Sequence, residues 1–353
     1  GTINNIGNMG IINKDNGTGL TVNGKITNEG KLKLVNSTGA EGLTVNGTVN
    51  NSTANLYIYN DAGHTTINGT LNNTEAGNLY VLSRANSTGI SIQPNATISN
   101  EGGTLAIRNK GTGVAAGTRG LDIQGSVTNT NGTLAINNDS GDMYVSDKVT
   151  VKNGNLGIIN RKGAGKMELA TTGNVTVTDG NANIKNYGMG NMTVNSEINH
   201  NGRVNVIANA GALNLGSKVH NNSGVLGNNG GFYAAVRNNG TGMNVTSEFV
   251  VDGNGEVLIK NISGEDGLRY AGTINTKDNQ AALVNKKGNM TVAGDITTTN
   301  APVIVSNQGE ALDVKSSSTL TSGTEGLVIN RGSKAGTVNG KLNNVKQYEK
   351  LRK

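Results

Sequence analysis

Apolar and polar residues alternate along this chain in short bursts, and the bursts recur. One recurring unit is apolar–x–apolar: Leu20-Thr21-Val22, Leu43-Thr44-Val45, Ile90-Ser91-Ile92, Leu121-Asp122-Ile123, Met143-Tyr144-Val145 and Met167-Glu168-Leu169. It continues through Met192-Thr193-Val194, Leu213-Asn214-Leu215, Met243-Asn244-Val245, Leu268-Arg269-Tyr270, Met290-Thr291-Val292 and Leu312-Asp313-Val314, with Thr65-Thr66-Ile67 as a weaker copy. Alternation of this kind puts one side chain in and the next out, which predicts strands. The Met positions align with Leu20 and Leu43 and read as core.

A second unit is longer and ends on asparagine, as in Leu32-Lys33-Leu34-Val35-Asn36 and Leu56-Tyr57-Ile58-Tyr59-Asn60. Copies end at Asn13, Asn36, Asn60, Asn109, Asn138, Asn160, Asn186, Asn238, Asn261, Asn285, Asn307 and Asn330, and the series is broken by Ser83 and Ala208. Asn13 and Asn330 are 317 residues and thirteen intervals apart, a period of about 24. Between the two units sits a third short strand, such as Lys25-Ile26-Thr27-Asn28 or Thr48-Val49-Asn50, usually preceded by glycine. Three short strands per period of about 24 residues predict an all-β chain. Its expected form is a right-handed parallel β-helix, or β-solenoid, of about 14 coils, each strand pairing with its own copy one coil on.

Composition supports that reading. Gly (53) and Asn (58) together make nearly a third of the 353 residues, which suits frequent turns. Aromatics are 3% and charged residues 15%, low for an ordinary globular enzyme. Cysteine is absent, so no disulfide framework is expected. No apolar run reaches the roughly 18 residues of a membrane span, and membrane insertion is not expected. The net charge of +6 is spread evenly, which does not describe a nucleic-acid footprint.

The Asn series has two readings. Asparagine tolerates left-handed turns, and amides stacked at one corner of successive coils can form a hydrogen-bonded ladder; the other reading is ligand contact. Tyr57 and Tyr59 flank Ile58 and should both point outward, where they could meet sugar or protein. No cofactor and no metal site are expected, because His64, His200 and His220 lack converging partners. Polysaccharide cleavage would need clustered carboxylates, and the outward row offers Asp122 and Glu168 two coils apart, so an enzyme is an alternative but not the leading expectation.

Two coils are oversize: Ile90 to Leu121 is 31 residues and Leu213 to Met243 is 30. Insertions in solenoids become protruding loops, which makes Thr112, Val114, Arg119, Asn221, Asn222, Phe232 and Tyr233 candidate binding residues. Asn-x-Ser/Thr sequences at Asn16, Asn46, Asn68, Asn131, Asn174 and Asn244 are candidate glycosylation sites and also good turn chemistry.

Residues 1–335 are expected to be solenoid and 336–353 a last partial coil with a charged tail. Gly1 to Asn13 aligns with Gly24 to Asn36, so the chain starts in mid-coil. That suggests a slice of a longer rod, or a filament subunit stacking end to end on itself.

The run Gly42-Leu43-Thr44-Val45-Asn46-Gly47-Thr48-Val49, followed by Asn-rich strands, resembles the repeats of filamentous-haemagglutinin-like exoproteins of bacterial two-partner secretion. The resemblance is one of repeat style and covers about 320 residues. It implies a cell-surface or secreted rod, export through an outer-membrane pore partner, and adhesion to host-cell or bacterial glycans and proteins, including biofilm roles. Autotransporter passenger domains share the same rod.

Overall fold

The computed structural model describes residues 1–115, 117–161, 163–221, 231–252, 255–323 and 326–344. Its described residues form short strands and turns, without a helix. The architecture is the expected β-solenoid: coils of about 24 residues, about 14 in number, with parallel pairing between copies of one strand. The chain divides into two compact units, Gly1–Gly190 and Asn191–Lys353.

In the first unit each coil has three faces. The first carries strands such as Leu20–Val22 and Leu43–Val45, paired Leu20↔Leu43 and Val22↔Val45. The second carries Lys25–Asn28 and Thr48–Asn51. The third carries Leu32–Asn36, Leu56–Asn60, Leu79–Ser83, Thr104–Asn109, Thr133–Asn138 and Leu156–Asn160, paired in register. Like therefore stacks on like. Leu32, Leu56, Leu79, Leu105, Leu134 and Leu156 form one inner row, all essentially inaccessible. Each such leucine gains about 1.5–3 kcal/mol from burial, but only because the coils on either side cover it.

The sequence pattern implies turns between all three strands. At one corner the backbone instead runs on, giving strands Leu56–Ile67 and Leu79–Ile92. The bend is made inside the strand, at Gly63 (φ 67°) and Ala85 (φ 46°), with register shifts between Ser83 and Asn86. At the corner before the second face the glycines are a steric requirement. A Cβ on Gly47 would collide with the carbonyl of Gly24 in the coil below.

The second unit repeats the plan. Val204, Phe232, Val257, Ala281, Val303 and Leu327 stack in register on the third face. Its core holds the largest buried side chains: Phe232 packs on Phe249 at a ring-centroid distance of 5.0 Å, and the Tyr270 hydroxyl donates to the Asp295 carbonyl at 3.2 Å. The strands Thr337–Val338 and Lys341–Asn344 pair with Asp313–Val314 and Thr319–Ser322. The charged tail, residues 345–353, lies outside the described residues.

Candidate binding face

The asparagines come first, because they set the corner that borders this face. Asn36 is buried and its Nδ2 donates to Asn60 Oδ1 at 2.8 Å and to the Gly39 carbonyl at 2.8 Å. The same pattern links Asn13 to Asn36, Asn109 to Asn138, Asn138 to Asn160 and Asn160 to Asn186 at 2.7–2.9 Å. In the second unit it links Asn261 to Asn285 and Asn285 to Asn307. Asn36, Asn138, Asn160, Asn261 and Asn285 each donate one proton to the next coil and one to a carbonyl of their own turn, while Asn109 gives its second to the Ser140 carbonyl of the next coil. Ser83 fills its place in the row by donating Oγ to the Gly89 carbonyl. Asn330 is exposed. The side chain of Asn238 lies outside the described residues.

A second asparagine ladder is not evident from the sequence pattern alone. Asn5, Asn28, Asn51, Asn73 and Asn100 each donate to the next asparagine at 2.6–2.9 Å at the end of the second face, and Asn129 accepts the last bond. Its signal is the last residue of each second-face strand. In the second unit His200 occupies this position, paired with Asn221 one coil on. Its Nδ1 lies 2.6 Å from the Gly202 carbonyl, as Asn28 and Asn100 donate to Gly30 and Gly102. The ring is 1% exposed, and burial lowers its pKa from 6.5 to about 4.

The outer surface of the third face carries the chemistry. Tyr57 and Tyr80 lie in register on adjacent coils and stack at 5.3 Å with an interplanar angle of 8°. Tyr59 meets Tyr57 edge-on at 5.4 Å. Three of the chain's eight tyrosines thus share one patch. Cations surround them: Lys31 and Lys33 lie 5.4 and 5.8 Å from the Tyr57 ring centre, and Arg84 lies 4.7 Å from that of Tyr59. Arg84 also clasps Asp61 through two bonds of 2.8 and 3.0 Å. Burial raises the Tyr59 pKa, with the Tyr57 ring adding to it and Arg84 opposing it. Further along, Arg108 and Arg161 both reach Asp139, at 2.7 and 3.2 Å.

The residues expected in binding loops divide. Thr112 is exposed and held by its hydroxyl to the Ala85 carbonyl at 3.0 Å. Arg119 is exposed, pairs with Asp122 at 2.9 Å and covers the Tyr144 ring at 3.7 Å, while Val114 packs over Gly141. Tyr233 is partly exposed and accepts a bond from Arg237 at 3.2 Å. It borders a surface cavity of about 290 Å³ shared with Arg203, Asn205, Glu256 and Leu258. Two expectations are corrected. Phe232 is 1% exposed and points into the core, because it is the inward residue of its strand, and Asn221 is 1% exposed because it ends a second-face strand on the inner side. Asn222 lies outside the described residues.

The glycosylation candidates differ in freedom. Asn16 is exposed at a turn. Asn68 donates to Asn46 at 2.6 Å and Asn46 to Asn23 at 2.7 Å, so these amides are engaged in an outer ladder. Asn131 donates to the Glu101 carbonyl, Asn174 accepts from Thr176, and Asn244 accepts from Arg269.

Of the carboxylates, Asp122 is buried under Arg119 and Gln124, with Tyr144 between it and the exposed Glu168. His64 contacts Ser91 at 2.7 Å, and burial lowers its pKa. Among the described residues no three His, Cys, Asp or Glu side chains converge as a metal site would require. No described helix is long and apolar enough to cross a membrane. Compared with known proteins, the chain matches no family model, no curated protein and no solved structure.

Proposed function

We propose that this chain is a structural and adhesive part of a bacterial cell-surface or secreted exoprotein, and that the tyrosine–cation patch on the third face is where it grips its target. The observation that carries the reading is the concentration of Tyr57, Tyr59 and Tyr80 with Lys31, Lys33 and Arg84 on an otherwise aromatic-poor surface. Tyrosine and arginine are the side chains that most often dominate binding energy, since they offer large contact area with few rotors to freeze. A stacked coil supplies a rigid platform for them, and no chemistry is required of it. Export through an outer-membrane pore follows from the repeat-style resemblance alone.

The test is to immobilise the chain and measure capture of host epithelial cells and of bacteria. Replacing Tyr57 and Tyr80 by Ala is expected to lower capture at least tenfold on the scale of two lost aromatic anchors, roughly 2 kcal/mol or more. Equal capture by wild-type and variant would overturn the reading, as would release of reducing sugar from polysaccharides by the wild-type chain.

A further inference from the structure

The partner of this face can be argued from its own register. Three outward rows run along it. The first reads Lys33, Tyr57, Tyr80, Ala106, Ala135, Gly157 in successive coils. The second reads Val35, Tyr59, Leu82, Arg108, Asn137, Ile159. The third, one residue beyond the asparagine corner, reads Ser37, Asp61, Arg84, Lys110, Asp139, Arg161. Large aromatic side chains thus fill one end of the face, and at the other end the first row narrows to Ala106, Ala135 and Gly157.

We infer that this face binds a second copy of the same chain, antiparallel, about a two-fold axis that runs along the strand direction through the coil of Ala106. Such an axis keeps each row opposite itself and reverses the order of coils. It sets Tyr80 over Ala135 and Tyr57 over Gly157. It sets Tyr59 against Ile159. In the border row it places Asp61 opposite Arg161 and Arg84 opposite Asp139. In the first row the tyrosine ridge therefore meets a trough, in the second Tyr59 meets an apolar side chain, and each border acid meets a base, twice per dimer. The Arg84–Asp61 and Arg161–Asp139 pairs of 2.8 and 3.2 Å already exist within one chain, so docking closes them into four-charge clusters. Arg108, which lies on the axis, is already neutralised by Asp139. Lys110 meets its own copy there, and it is exposed and able to turn away.

Neighbouring registers fail. Half a coil earlier, Asp61 would face Asp139 and Arg84 would face Lys110. A full coil earlier, Arg84 would face Arg84 and Tyr80 would face Tyr80. Gly157 adds a separate argument. It is the second residue of the strand Leu156–Asn160, inside the strand, where glycine weakens pairing. A Cβ there would meet nothing closer than Ile159 at 3.9 Å, so its own chain does not require glycine. Close approach of another molecule does. Five coils about 4.8 Å apart and five residues of strand give roughly 400 Å² a side, in the range of weak, transient interfaces. Affinity should therefore be weak for one pair of chains and rise steeply where many are displayed on facing surfaces.

This inference rests on the reading of the face as a binding surface, and the test separates the two. Sedimentation equilibrium of the whole chain at up to about 200 μM is expected to show dimers in the micromolar range, weakened several-fold between about 0.05 and 0.5 M NaCl. Gly157→Glu, whose Cβ meets nothing closer than Ile159 in its own chain, should be monomeric and unfold no more easily than the wild-type monomer. Arg84→Glu and Asp139→Lys should each be monomeric alone, because each sets like charges face to face. Mixing the two variants should restore a heterodimer, since the acid introduced in one chain then faces the base introduced in the other, and the native Asp139 and Arg84 face each other as before. Wild-type that stays monomeric, or Gly157→Glu that dimerises like wild-type, overturns the inference. If wild-type is monomeric while the tyrosine variant still loses cell capture, the adhesive reading stands and the partner is another molecule. If capture is also unchanged, both fall.

Discussion

Lowering the pH should destabilise the second unit through one side chain, His200. The imidazole replaces an asparagine in the second-face ladder and is 1% exposed, with Nδ1 donating to the Gly202 carbonyl at 2.6 Å. That bond fixes the proton on Nδ1 and leaves Nε2 as a buried lone pair without a hydrogen-bond partner. Protonating Nε2 would bury a cation with no acceptor for its new N–H, which is why the pKa falls from 6.5 to about 4. In the unfolded chain the ring takes up its proton near 6.5. Between those values the unfolded state binds more protons than the folded state, so stability falls as pH falls. The contribution is fully present above about pH 6.5 and is lost progressively on the way to about pH 4. At about 1.4 kcal/mol per pH unit the window amounts to about 3 kcal/mol. Urea unfolding of wild-type and His200→Asn should be measured from about pH 7.5 to about 4.5. Asparagine keeps the bond to Gly202 and does not titrate, so the wild-type curve should drop below that of the variant by about 2–3 kcal/mol at the acid end. His64, also held below its ordinary pKa by burial, contributes the same sign to both curves and cancels in the difference. Parallel curves would refute the assignment of a buried, neutral imidazole.

Other expectations follow from the packing. Asn138→Ala removes a buried amide that donates to Asn160 and Gly141 and accepts from Asn109, and should cost about 1–3 kcal/mol, read from chemical unfolding. Two glycine substitutions should have opposite signs in thermal melts. Gly47→Ala is obstructed by the Gly24 carbonyl and should destabilise by about 1–3 kcal/mol, whereas Gly157→Ala, which has room, should stabilise by about 0.5–1 kcal/mol. If the chain is exposed to an asparagine glycosyltransferase after folding, Asn16 should be modified well before Asn46 and Asn68, whose amides are bonded to one another or to Asn23; peptide mass mapping decides it.

The fold was legible because a solenoid is local in its repeat and every copy restates it. The inner rows, the asparagine corner and the pairing of each strand with its copy all follow from a period of about 24, even where the residue is atypical, as at Thr65 or Ser83. The second asparagine ladder was harder to see, because Val151, His200, Thr276 and Thr298 interrupt it and the strands that carry it are four or five residues long. Phe232 was misplaced for a related reason. The insertion that precedes it hid which residue restarts the alternation, and a large aromatic beside a long loop reads as exposed until its register with Val257 fixes it inward.

Alternation and period are properties of the chain itself, so the sequence alone determined the stacked β architecture, the composition of its core and the outward direction of Tyr57 and Tyr59. What the outer surface does depends on residues about 24 positions apart becoming neighbours. Only the tertiary structure decided that Tyr57 stacks on Tyr80, that Arg84 clasps Asp61, and that a trough of Ala106, Ala135 and Gly157 continues the tyrosine ridge. The reason is that stacking turns a difference in coil number into a distance of about 5 Å, and a single residue gained or lost in one turn would shift every contact beyond it.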